Sequence, residues 1–217
     1  MHRAIFAEGL GSMLLAAAVV GSGIMGQRLT GDGAVALLAN TLTTVAALAV
    51  LIAILAPVSG AHFNPAVSIV SYLRGQLSLR ATALYVAAQA IGCCLGVVVA
   101  HAMFELPLIQ AATHTRAGLG QAVSELVATG GLIAVVSACT TPSQAAWRVP
   151  AWIGAAYWFT ASTSFANPAI TIARALSDTF AGIRPADVPA FLAAQLLGAL
   201  AGFALSRYAY VATKAAV

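Results

Sequence analysis

Six apolar runs dominate the chain, at about 4–25, 34–56, 80–104, 117–138, 147–164 and 187–211, each near the ~20 residues that a bilayer crossing takes. Polar and charged residues collect at the run ends and in the connections. The pattern predicts an all-α membrane protein with six transmembrane helices. Two further apolar segments, at about 62–74 and 165–178, are too short to cross. Each opens on the same tripeptide, Asn64-Pro65-Ala66 and Asn167-Pro168-Ala169, placed 103 positions apart (167 − 64). Proline is tolerated at the first position of a helix, where its missing N–H would be unpaired anyway. Asparagine is a good N-cap whose side chain stays available as a polar group. Both segments therefore read as half-helices that enter the membrane and stop.

Other repeats surround this one. Ala7–Ser12 (Ala-Glu-Gly-Leu-Gly-Ser) echoes Ser124–Thr129 (Ser-Glu-Leu-Val-Ala-Thr), and Ala87–Gly92 echoes Ala193–Gly198. The order in each half is Glu8 or Glu125, then Asn-Pro-Ala, then Gln89 or Gln195. The chain is thus expected to be one channel-like domain over 1–217, built of halves at about 1–108 and 109–217. Three spans per half is an odd number, so the second half enters upside down as an inverted repeat. Its two half-helix N-termini would meet near the midplane. Glycines such as Gly9, Gly92, Gly130, Gly198 and Gly202 suit close helix crossings.

Composition agrees with this pattern. The 217 residues are 61% hydrophobic and 7% charged, with mean hydropathy +0.93. No soluble domain of this length has such a balance. The net charge of +4 comes from scattered basic residues, which fit anionic lipid rather than nucleic acid. Cys93, Cys94 and Cys139 sit in apolar stretches and read as small buried hydrophobes. No metal-ligand spacing, phosphate-binding loop or nucleophile–base set is visible, so no metal, no cofactor and no enzyme activity are expected. The first apolar run lacks a small-residue cleavage site and reads as a span that is retained. With the N-terminus in the cytoplasm, Arg3, Arg74, Arg80, Arg148, Arg207 and Lys214 lie inside, and Arg28, Arg116, Arg174 and Arg184 lie outside. This mild positive-inside bias places both termini in the cytoplasm. Trp147, Trp152, Trp158, Tyr208 and Tyr210 read as interface anchors.

Two Asn-Pro-Ala motifs on half-helices resemble the aquaporin and aquaglyceroporin (major intrinsic protein) family. The stretch Ser59-Gly60-Ala61-His62-Phe63-Asn64-Pro65-Ala66-Val67 is very similar to that family's first signature, and Glu8, Glu125, Gln89 and Gln195 match as well. The resemblance covers essentially the whole chain. It implies a passive channel for small neutral solutes, one pore per protomer, and a homotetramer in the cell inner (plasma) membrane. Its partners would be lipid, water and the solutes. In such a pore Asn64 and Asn167 donate into the lumen beside two helix N-termini, each carrying roughly +0.5 charge. A passing water turns its oxygen toward them, which breaks a proton wire and repels cations. Unwound backbone at Ser59–Phe63 and Thr163–Ala166 would expose carbonyls along the pore.

The chain departs from the family at the outer constriction. The family usually has Arg directly after the second motif; here Ile170 stands there. Counting by the family's offsets, Thr44 lies 20 before Asn64, and Ala155 and Ser164 lie 12 and 3 before Asn167. The inferred filter is Thr44, Ala155, Ser164 and Ile170, without aromatic, His or Arg. Such an opening is wide and weakly cationic. It suits polyols such as glycerol, urea, or neutral metalloid acids such as arsenous acid, with water; some bacterial members lacking the filter Arg are associated with metalloids. A strict water channel is the alternative. Arg174, one turn beyond Ile170, has two readings: a displaced gate at the vestibule, or a helix-end pair with Asp178 in the headgroup region. The second is preferred.

Glu8 and Glu125 lie within spans, where ionisable groups are functional candidates. The family resemblance makes them buried anchors of the re-entrant loops, with Gln89 and Gln195 helping to fix that backbone. The rival reading is a proton-coupled secondary transporter using Glu8 and Glu125. A third is a structural membrane protein with a closed pore. His62 is placed at the cytoplasmic vestibule as a lining residue, and His2, His101 and His114 near span ends.

Overall fold

The start and stop of each helix follow from local chemistry. Asp32 opens the second helix by accepting from Ala34 N and Val35 N, and Gly60 closes it in the left-handed region at φ 90°. Ser78 caps the fourth on Ala81 N, and Thr141 caps the sixth on Gln144 N, each an N-terminal donor that would otherwise lack a partner. The computed structural model describes residues 1–214, with side chains through 209. In chain order these are α1 (His2–Leu29), α2 (Gly33–Ser59), α3 (Pro65–Leu73), α4 (Leu79–Met103), α5 (Leu119–Ala138), α6 (Pro142–Phe159), α7 (Pro168–Arg174) and α8 (Val188–Lys214). A 3₁₀ turn at Pro185–Asp187 leads into α8.

Five of these, α1, α2, α4, α5 and α8, are long and apolar enough to cross a membrane. The sixth crossing, α6, is offset from the expected 147–164. Thr141-Pro142 starts the helix early, and its end at Phe159 is followed by an unwound stretch whose backbone donors are taken by side chains of other elements. Its 18 residues rise about 27 Å at ~1.5 Å each, near the thickness of a hydrocarbon core. The half-helices α3 and α7 occupy the segments expected for them.

Packing pairs α1 with α4 and α5 with α8, and α2 meets α6 across the middle. Glycine permits the two closest crossings. A Cβ at Gly92 would overlap the Gly9 backbone, and one at Gly198 the Leu126 backbone, so neither position has room for a side chain. Both half-helices touch α4 and α8 and so are held by elements from both halves of the chain. The polarity is that of a membrane protein. Leu42, Val50, Ile54, Ile91 and Leu197 are exposed, whereas Glu8, Gln89, Glu125 and Gln195 are fully buried.

Trp152 differs from the anchor expectation. Its indole packs on Gly131, and its Nε1 donates to Ala128 O at 2.9 Å, tying α6 to α5. Trp147, Trp158 and Tyr208 are exposed. The side chains of Tyr210 and Lys214 lie outside the described residues.

Candidate functional site

The backbone ahead of each Asn-Pro-Ala is unwound into a form that L-residues seldom adopt. Ala61 and Phe63 have φ of 51° and 48°, and Thr163, Ser164 and Ala166 have 58°, 50° and 47°. Each such residue costs about 1–2 kcal/mol, so strong bonds must hold these segments. The buried glutamates supply them. Glu8 Oε1 accepts from Ser59 Oγ (2.7 Å) and His62 N (2.9 Å), and Oε2 accepts from Phe63 N (2.7 Å) and Gln89 Nε2 (2.8 Å). Glu125 accepts from Phe165 N (2.9 Å), Ala166 N (2.8 Å) and Gln195 Nε2 (2.6 Å). Each glutamine also donates to a hydroxyl four residues after a motif Asn, Ser68 Oγ at 2.9 Å and Thr171 Oγ1 at 2.8 Å.

The Asn side chains do two jobs. Asn64 Oδ1 accepts from Ala66 N, and Asn167 Oδ1 from Ala169 N and Ile170 N, capping α3 and α7. Their amide groups cross between the halves: Asn64 Nδ2 donates to Ala166 O at 2.7 Å, and Asn167 Nδ2 to Phe63 O at 2.8 Å. Phe63 O and Ala166 O each accept one of these bonds, and a carbonyl oxygen has a second lone pair. An amide carries two N–H donors, and both asparagines line the central cavity. The N-termini of α3 and α7 thus meet back to back at one level, with their positive ends together.

That cavity has a volume of about 330 Å³. One mouth is lined by Cys139, Thr140, Thr141 and Pro142, the other by Tyr157, Ser164 and Arg174, with His62, Asn64, Asn167 and Ile170 between. Leu15, Val19, Leu48, Ile52, Leu132 and Val149 supply apolar wall. Polar groups thus stand against a greasy face, an arrangement that passes small polar solutes without trapping them.

Three of the four counted filter residues, Thr44, Ser164 and Ile170, border the cavity. Ala155 does not; it is exposed, and Tyr157 occupies the wall instead. Two residues rotate a helix by about 200°, so the counted position and the lining one lie on opposite faces. Tyr157 Oη and Thr44 Oγ1 are 3.2 Å apart. The mouth therefore carries an aromatic hydroxyl that counting missed. Arg174 also departs from its preferred reading. It is buried, and Asp178 instead accepts from Thr113 N and Thr113 Oγ1, both at 2.8 Å. Cys139, at the end of α5, borders the cavity rather than packing in a core.

The segment between α4 and α5 straps this mouth. Gln110 N and Ala112 N donate to Leu176 O and Ala175 O. Arg116, buried, donates from its guanidinium to Gly182 O, Ser162 O and Phe180 O. The bonds from Thr113 hold the Asp178 carboxyl below its ordinary range. That tie is present above the ordinary carboxylate range and is lost as pH falls through the lowered value. Burial, then the Arg116 and Arg174 charges, lower His114 against the opposing pull of Asp178. His101 anchors the strap through Leu108 O and Ser177 Oγ.

Comparison with known proteins decides the family. Residues 1–161 match the model of the major intrinsic protein family. The chain belongs to the major intrinsic protein family. It is 53% identical over 210 residues to the aquaglyceroporin AqpS of Rhizobium meliloti (strain 1021), covering 96% of this chain and 90% of that one. It is 29% identical over 209 residues to the aquaporin NIP6-1 of Arabidopsis thaliana, covering 93% and 67%. Its fold is similar to that of the aquaglyceroporin from Plasmodium falciparum, with a TM-score of 0.77 at 20% identity over 97% and 96% of the two chains. Members of this family are membrane channels, not enzymes, and this chain is a multi-pass membrane channel.

The paired asparagines lead to a first prediction. Asn167→Asp keeps the cap on Ala169 N but sets a carboxylate against Phe63 O where two helix N-termini converge. Potassium conductance of proteoliposomes should rise clearly above wild type. Conductance equal to wild type would show that this side chain does not reach the lumen.

Proposed function

We propose that the chain is a passive channel for small uncharged solutes, namely glycerol-like polyols and neutral metalloid acids such as arsenous acid, together with water. Ile170 carries the reading. It borders the cavity directly after the second motif and contributes neither charge nor hydrogen-bond donors from its side chain. The kinship with an aquaglyceroporin supports the same solute class. The inferred filter is Thr44, Ser164, Ile170 and, in place of Ala155, Tyr157. The Asn64 and Asn167 amides select against cations and break proton wires.

Passive flow is favoured over proton coupling by the glutamates. All four acceptor directions of the Glu8 carboxylate receive donors, three of them from the Ser59–Phe63 segment. Such a group fixes a loop rather than cycling a proton. The halves 1–108 and 109–217 are taken to be an inverted repeat. Both termini are placed in the cytoplasm of a bacterial inner-membrane homotetramer with one pore per protomer.

Stopped-flow light scattering on proteoliposomes tests the proposal. Glycerol and arsenous acid should enter well above empty liposomes, with rates unchanged by an imposed proton gradient. Water flux alone would mean a strict water channel. Gradient-dependent solute flux would favour a transporter, and flux no faster than empty liposomes a closed structural protein.

A further inference from the structure

We propose that Arg174 supplies the fixed positive charge of the cavity's outer constriction and sets the size and charge of what passes there. The inference rests on the channel reading above and adds a specificity-determining residue to it.

Arg174 ends α7 and is only 3% exposed, yet among the described residues no carboxylate forms an ion pair with it. The one ion pair among the described residues joins Arg184 to Asp187, and Asp178, one turn beyond Arg174, is bonded to Thr113. The Glu125 carboxylate, whose negative charge acts on it, is committed to Phe165 N, Ala166 N and Gln195 Nε2. A buried guanidinium with no directly bonded carboxylate is costly, so something else must hold and hydrate it. Two contacts hold it. Its Nε donates to Ala181 O, and its guanidinium carbon lies 3.4 Å from the centroid of the Phe165 ring. Arg116 sits over the same ring at 4.9 Å, so two like charges converge on one aromatic.

The terminal nitrogens of Arg174 make no hydrogen bond within the described residues, and the residue borders the cavity. Ser164 Oγ, in the same wall, is buried without a hydrogen-bond partner. Donors and a hydroxyl left open at one level of a pore are completed by the oxygens of what passes through it. Water or an uncharged hydroxyl-bearing solute can accept from the guanidinium and exchange bonds with Ser164. A cation meets a fixed like charge before it reaches the Asn pair. The charge stands one helical turn outward of Ile170, where the mouth is also bordered by Tyr157. This leaves a cationic gate in series with, rather than inside, the apolar level at Ile170.

The test uses full-length protein in proteoliposomes as wild type, Arg174→Ala, Arg174→Gln and Arg174→Lys. Potassium leak and the flux of glycerol and the bulkier erythritol are read together. In Arg174→Ala and Arg174→Gln, potassium leak should rise about tenfold or more, equivalent to ~1.4 kcal/mol of lost barrier, and erythritol should gain on glycerol. Arg174→Lys should restore cation exclusion, because the charge remains, which a purely structural role would not predict. The Gln variant keeps an amide donor for Ala181 O and so reports on charge even if the Ala variant does not fold. Wild-type leak and a wild-type erythritol-to-glycerol ratio in a folded neutral variant would overturn the inference while leaving the channel reading intact. Wild-type protein no faster than empty liposomes would overturn the channel reading, and this inference with it.

Discussion

Glu8→Leu should leave little folded channel in the membrane. The substitution removes the acceptor of four hydrogen bonds, from Ser59 Oγ, His62 N, Phe63 N and Gln89 Nε2. The site is fully buried, and leucine offers no replacement. Each donor stranded in an apolar interior costs about 1–3 kcal/mol. Four of them consume much of the ~5–15 kcal/mol by which a folded protein is stable. The left-handed residues Ala61 and Phe63 would lose their restraint at the same time. The yield of monodisperse protein on size exclusion and its thermal midpoint in detergent should both collapse. Glu8→Gln is the informative companion. Its amide nitrogen would face donors that now point at a carboxylate oxygen, so it too should destabilise, by less. Glu125→Leu strands three donors and should fall below Glu8→Leu in severity. A coupling site would behave differently. Glu8→Gln would then fold and melt like wild type and lose only its response to a proton gradient.

These glutamates show what a sequence makes legible. Whatever the chain states twice is legible, because a repeated residue at a repeated offset needs a shared cause. Glu8 with Glu125, Gln89 with Gln195, and the two asparagines were found that way, and each pair occupies equivalent bonds. The same logic reaches Ser68 and Thr171, hydroxyls four residues after each motif Asn; they were missed because Ser and Thr differ in name but not in the bond they accept. Residues set by an irregular connection were not legible. Ala155 was reached by counting backward through Thr160–Ala166, and that stretch is unwound, so a two-residue difference in its length turns α6 from wall to lipid face. Arg174 was paired with Asp178 on helical spacing alone. The partner Asp178 takes is Thr113, 65 positions away in the chain. Arg116 likewise owes its burial to Gly182, Phe180 and Ser162, contacts that only the folded strap creates.

Ile170→Arg should cut glycerol and arsenous acid flux by about tenfold or more, the effect of ~1.4 kcal/mol added to the barrier, and should reduce water flux much less. Ile170 is buried and borders the cavity, and its backbone N–H is committed to Asn167 Oδ1 at 3.3 Å. The backbone at this point is therefore fixed, and a longer side chain has only the cavity in which to extend. A guanidinium there would also face Arg174 one turn away, a like-charge spacing that pushes both groups off their preferred positions. Bulk and charge thus act together at a level now lined by apolar carbon. Water still fits because it needs one donor and one acceptor at a time; a polyol must exchange several hydroxyls at once in the narrowed section. Ile170→Val separates shape from charge: it trims one carbon and should leave the selectivity order unchanged. Undiminished polyol flux in a folded Ile170→Arg channel would place the solute route elsewhere than past Ile170. Adding Arg174→Ala to Ile170→Arg moves the single fixed cation inward by one turn. That double variant should exclude potassium as wild type does and still reject erythritol, since charge exclusion needs only one cation on the axis whereas size exclusion depends on where it stands.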